Sequence, residues 1–96
     1  MSFTYDDYLR ISDEINISKL GSKIEMILLL NHLQMENYNE DICRDKIEEL
    51  KELAFDVLEL KAKATFHNSQ EVYDKCEVYY ADIMFQLRRM REICNQ

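Results

Sequence analysis

The chain reads as all-α, a small antiparallel helical bundle, and three observations say so. It contains no proline and one glycine, Gly21, whereas short strands need turn residues about every 8–12 positions. Glu, Lys, Leu, Ile and Met are abundant, and these residue types favour helix. Apolar residues recur at intervals of three and four through the second half of the chain, the rhythm of a helix with one buried face. Its 96 residues suit one domain spanning 1–96, near the lower end of what buries its own core.

Caps bracket four expected helices near 5–16, 23–37, 40–65 and 69–94. Thr4 precedes the first, with Asp7 three residues on, so its hydroxyl can accept an orphan N–H while the acids favour the positive helix end. Ser22-Lys23-Ile24-Glu25 has the S-x-x-E form of a capping box, so the "NISKLGS" stretch before it reads as a joint. Asn39 caps the third helix, with Glu40 and Asp41 in its first turn. Asn68 stands before the fourth, with Glu71 three residues on. Short joints imply antiparallel neighbours. The expected architecture is therefore a long C-terminal hairpin, about 40–65 and 69–94, with two shorter N-terminal helices along it.

Each helix has a face to bury. On the last, Val72, Cys76, Tyr79, Ile83, Leu87, Met90 and Cys94 share one stripe; on the third the stripe is Cys43, Ile47, Leu50, Leu53, Ala54, Val57, Leu58 and Leu60. The three cysteines have no C-x-x-C spacing and all fall on these stripes, so they read as small buried hydrophobes with raised thiol pKa. The segment "IEMILLLNHL" from Ile24 departs from this pattern, being apolar on nearly every side. Such a helix is enclosed completely or has a second partner. Phe3, Tyr5, Tyr8 and Leu9 offer cover from within the chain. The simpler expectation is a homodimer through Ile27, Leu29, Leu30 and Leu33, since two-fold self-association is the commonest assembly.

The third helix carries a second pattern. Asp41, Asp45, Glu49, Glu52, Asp56 and Glu59 recur at spacings of four, four, three, four and three, opposite the apolar stripe. Residues 36–59 hold nine acids and three bases, so most of the chain's net charge of −7 sits there. Like charges four apart cost a helix a few tenths of a kcal/mol per pair. Asp45, Glu49, Glu52, Asp56 and Glu59 are therefore either a solvated outer face or a binding surface for a basic protein partner. In the narrower form of that second reading, carboxylates about 5–6 Å apart imitate a phosphate backbone. The protein would then inhibit a host nucleic-acid enzyme, as phage anti-defence proteins do.

Other functions find less support. An acidic balance disfavours direct nucleic-acid binding, and Arg88, Arg89 and Arg91 serve the negative end of the last helix. No apolar run reaches the roughly 20 residues of a membrane span. The N-terminus has acids where a secretory leader has a basic then apolar stretch, so the expected compartment is the cytoplasm. No phosphate loop, G-x-S-x-G or H-E-x-x-H motif occurs. His32 with Glu36, and His67 with Glu71, put imidazole and carboxylate on one helical face twice. Di-metal bundles need Glu-x-x-His and further inward glutamates, which leaves a metal-dependent helical enzyme as a third reading, with no cofactor or metal expected. The leading expectation is a non-enzymatic protein–protein interaction or regulatory module.

Overall fold

The structure, a computed structural model, describes residues 2–95 and holds three α-helices, with no strand among those residues. The chain is all-α. Helix α1 spans Tyr5–Gln34 and is followed by a single 3₁₀ turn at Met35–Asn37; α2 spans Glu40–Phe66 and α3 spans Gln70–Cys94. The whole is a rod of 58 × 18 × 17 Å.

The two short N-terminal helices expected from the sequence are one helix of 30 residues. Thr4 does open it, with its hydroxyl accepting from the Asp7 N–H at 3.2 Å and the Asp7 carboxylate accepting from the Thr4 N–H at 3.0 Å. Those bonds, with Arg10 beside them, hold the Asp7 carboxyl below its ordinary pKa. The capping box expected at Ser22 never forms, because α1 runs through it unbroken. Ser22 lies in mid-helix and its Oγ donates to the Ser18 carbonyl one turn back, a bond open to serine inside a helix.

Gly21 is likewise no joint. A helical glycine costs about 1 kcal/mol relative to alanine, and Tyr79 of α3 explains its presence. A Cβ on Gly21 would stand 2.5 Å from Tyr79 Oη and 2.8 Å from Cζ. The glycine is the slot into which the tyrosine ring fits. From there the Tyr79 hydroxyl donates to Glu25 Oε1 at 3.1 Å. Burial first, and Glu25 second, push its pKa up.

One core runs the length of the rod. Ile17 and Ile24 of α1 meet Leu50, Leu53, Val57 and Leu60 of α2 and Val72, Cys76, Ile83, Leu87 and Met90 of α3. Leu58, expected on the α2 core stripe, is exposed instead. Between α2 and α3, Lys61 Nζ approaches Glu77 Oε1 at 3.2 Å and lies 5.0 Å from the Tyr73 ring centroid. Each charge favours the other: Glu77 raises the Lys61 pKa, and Lys61 lowers that of Glu77.

The expectation of three free thiols is corrected for two of them. Cys43, one turn into α2, is disulfide-bonded to Cys94, the last residue of α3, across 51 residues of sequence. Both sit on apolar stripes as expected, and the stripes bring them together. Only Cys76 is a free thiol among the described residues; it is buried, which raises its pKa.

The turn at the other end is three residues long. Ser69 N–H donates to the Ala64 carbonyl at 2.8 Å and Asn68 N–H to that of Thr65 at 3.4 Å, the paired bonds of a Schellman ending. Asn68 takes the left-handed position with φ 56°, which asparagine tolerates better than most residues. It therefore ends α2; the residue that opens α3 is Ser69, and its side chain makes no capping bond.

Two outcomes follow. Gly21→Ala should destabilise the protein by about 1–2 kcal/mol through overpacking against Tyr79. The same change in a Tyr79→Ala background should be stabilising, by up to about 1 kcal/mol of helix propensity. A double-mutant cycle from urea denaturation reads the sign reversal, and its absence would refute the slot. Replacing Cys43 and Cys94 together by alanine should cost about 4 kcal/mol, the loop-closure entropy of a cross-link of this span. Equal denaturation midpoints for the two forms would show that the cross-link does not hold these helix ends.

Candidate interaction surfaces

The oily segment is not enclosed. Leu29 is 58% exposed, Leu30 47% and Leu33 66%, while Ile27 is half-buried against the core of its own chain. Ile24 is wholly buried and Leu28 partly so. The helix thus divides its apolar residues between two opposite sides. Phe3, Tyr5 and Tyr8 do not cover the outer side, since they are exposed themselves. Tyr5 and Tyr8 cannot fold back over it, because they belong to the first turns of the same continuous helix, and Phe3 lies just before its cap. The outer side instead gains members from that end: Tyr8, Ile11 and Ile15, with Met26 nearer the oily segment, all exposed.

The acidic ridge is present on α2 but partly neutralised. Lys46 Nζ lies 3.7 Å from Glu49 Oε1, and Lys63 Nζ lies 3.6 Å from Glu59 Oε1. Asp41 shares Arg44 with Glu40, and Lys51 pairs with Glu48. Glu49 Oε1 is shielded from solvent with no hydrogen-bond partner, its nearest cation standing beyond hydrogen-bond reach. Asp45, Glu52 and Asp56 are exposed, and no cation of the described residues pairs with them. Asp56 and Glu59 border a shallow hollow of about 290 Å³ shared with Asn16 and Leu20 of α1, so that end of the ridge approaches a neighbouring helix. Exposed pairs of this kind add little stability. Their effect is to leave three free carboxylates where the sequence shows a row.

A second apolar feature lies between α2 and α3. Phe55 is 72% exposed and, with Leu58, Tyr80, Met84 and Leu87, borders a groove of about 220 Å³ closed by Lys51 and Arg91. Tyr80 packs against the core while Phe55 stands out.

The histidines pair differently from their spacing. His67 ignores Glu71: its Nδ1 donates to Oδ2 of Asp13 at 2.7 Å, and Ser69 Oγ donates to the same oxygen at 3.2 Å. Asp13 is only 2% exposed, so these two donors answer a carboxyl removed from water. Arg10 reaches the His67 carbonyl at 3.4 Å. Serine, histidine and aspartate are the residue types of a hydrolase triad, but the connection is wrong for one. There the histidine stands between serine and carboxylate and takes the serine proton; here both donate to Asp13. The cluster fastens α1 to the α2–α3 turn. His32 and Glu36 lie exposed at the far end of α1 and in the 3₁₀ turn. Among the described residues no three of His, Cys, Asp and Glu gather as a metal site would require, and no helix is long and apolar enough to cross a membrane.

Compared with protein-family models, curated proteins and solved structures, the chain matches none. Its surfaces must be interpreted from their own chemistry.

Sequence reasoning missed the buried polar residues. Besides Asp13 and Ser69, Asn31 of α1 donates through Nδ2 to Gln86 Oε1 at 3.0 Å and accepts from the Tyr38 hydroxyl at 2.9 Å; Gln86 Nε2 donates to the Leu28 carbonyl at 2.8 Å. The available signal was position: on an uninterrupted α1, Asp13, Ile17, Ile24 and Asn31 fall on one side.

His67→Ala should cost about 2 kcal/mol by leaving the buried Asp13 short of a donor. His67→Asn, whose amide can donate from near the position of Nδ1, should recover part of the loss. Equal denaturant midpoints for all three proteins would show that the contact adds nothing.

Proposed function

We propose that this protein is a non-enzymatic interaction module that associates with itself through the outer side of α1. The module is built on a long antiparallel hairpin of α2 and α3. The observation that carries the reading is the division of α1: Ile17, Gly21 and Ile24 are buried, while Leu29, Leu30 and Leu33 are left in water. Monomers seldom leave so extended an apolar face open. Self-association covers it with no component beyond a second copy.

A second reading draws on Asp45, Glu52 and Asp56, exposed and without partners among the described residues. They suit a basic protein surface, including the nucleic-acid site of an enzyme, but three carboxylates are a shorter imitation of a phosphate row than the sequence alone suggests. Converting all three to lysine should release such a partner from a nuclease-treated lysate pull-down. The compartment rests on Cys43 and Cys94, whose cross-link supports an oxidising environment over the cytoplasm, where thiols stay reduced.

Sedimentation equilibrium tests the leading reading. The unaltered protein should be a dimer at about 100 μM. Leu29→Glu should be a monomer with unchanged helical circular dichroism, because an exposed position changes chain stability by no more than about 0.5 kcal/mol. A monomeric unaltered protein would remove the reading.

A further inference from the structure

We propose that the outer side of α1 is a parallel, in-register seam with a second copy of this chain, joined along its flanks by Glu14 and Lys19. The inference rests on the self-association reading and adds its extent, direction and register.

The extent comes from spacing. Tyr8, Ile11 and Ile15 begin a row that passes through Ser18 and Ser22 and ends with Met26, Leu29 and Leu33, at intervals of three, four, three, four, four, three and four. This is the alternation of a two-helix coiled coil, with one four-residue stutter between Ser22 and Met26. All eight are exposed, while Asp13, Ile17, Ile24 and Asn31 on the opposite side are buried. The row is roughly 38 Å long by the helical rise, on a helix about 10–12 Å across with its side chains. It offers roughly 400 Å² per copy, about 800 Å² in all, the size of a weak, reversible contact and not of an obligate one.

The centre of the row suits close approach. Ser18 and Ser22 are small, and the Ser22 hydroxyl is already satisfied by the Ser18 carbonyl. Covering the Ser22 hydroxyl therefore leaves that donor answered within its own helix.

The direction comes from charge. Beside the row, Glu14 and Glu25 lie along one flank and Lys19 and Lys23 along the other, all exposed. With Ile15 in the first core position of a heptad, Glu14 precedes it and Lys19 follows Ser18. These are the two flanking positions that meet across a parallel pair, five residues apart. Each Glu14 then faces the partner's Lys19, twice by symmetry. Antiparallel packing would turn like flanks together, setting Glu14 near Glu25 and Lys19 near Lys23, which costs binding energy.

Cysteine cross-linking separates the possibilities. In a parallel seam Leu33→Cys alone should form a covalent dimer under mild oxidation, as should Tyr8→Cys alone. In an antiparallel seam a cross-link should form only in a mixture of the two variants. Glu14→Lys should weaken the dimer roughly tenfold, and Glu14→Lys with Lys19→Glu should restore it. A dimer that Leu29→Glu disrupts but that cross-links only in the mixture overturns the direction and leaves self-association standing. A dimer untouched by Leu29→Glu and Glu14→Lys overturns the seam. A protein still monomeric at about 100 μM, an energy of about 5.5 kcal/mol, overturns both the seam and the reading beneath it. Circular dichroism of every variant excludes unfolding as the cause.

Discussion

Two polar contacts hold α1 in place, and the apolar packing between them depends on where they sit. Near one end Asp13 takes hydrogen bonds from His67 and Ser69. Near the other Asn31 exchanges them with Gln86 and Tyr38. Apolar stripes tolerate sliding by a helical turn at modest cost, whereas a buried polar group left without its partner costs about 1–3 kcal/mol. The pair therefore fixes the register in which Gly21 meets Tyr79 and Ile24 enters the core. The same demand explains the turn: Ser69 spends its hydroxyl on Asp13 instead of on its own helix.

Once α1 is fixed, its other side has nowhere to go. Seventeen residues lie between the two clamps, and they commit one face to α2 and α3. A helix apolar on a single face would have left serines and charges outward, as at Ser18, Lys19 and Ser22. Instead apolar residues flank that polar centre on both sides. The acidic ridge of α2 is more ordinary than its spacing suggests, because Lys46 and Lys63 lie one turn from Glu49 and Glu59. The outward face of α1, not the charge of α2, is the surface that solvent alone does not suit.

The helical class was legible because periodicity and composition act over many residues at once. The starts at Thr4 and Asn39 were legible because caps are local: each side chain answers an N–H three residues away. What failed had a distant cause. Gly21-Ser22 resembles a joint in isolation, and only Tyr79, from another helix, makes the glycine a packing choice. His67 beside Glu71 resembles a pair until Asp13 arrives from the first helix. The Cys43–Cys94 link depends on the relative register of α2 and α3, which a stripe cannot supply. Asn68 was one residue off as a cap because asparagine serves helix starts and left-handed helix ends alike. Leu29, Leu30 and Leu33 were legible as surplus apolar residues, but Tyr8, Ile11 and Ile15 joined them only when the joint disappeared.

The cross-link has a dynamic consequence. Helices α2 and α3 are tied covalently at both extremes, by three residues of chain at one and by sulfur at the other. They form a closed ring that cannot splay at its tips. Helix α1 lies outside that ring and joins it through the 3₁₀ turn at Met35–Asn37. Partial opening of this protein is then a peeling of α1 away from an intact ring, beginning where Asp13 lets go of the turn. Amide protons of α1 should exchange in one cooperative unit while those of the ring stay protected.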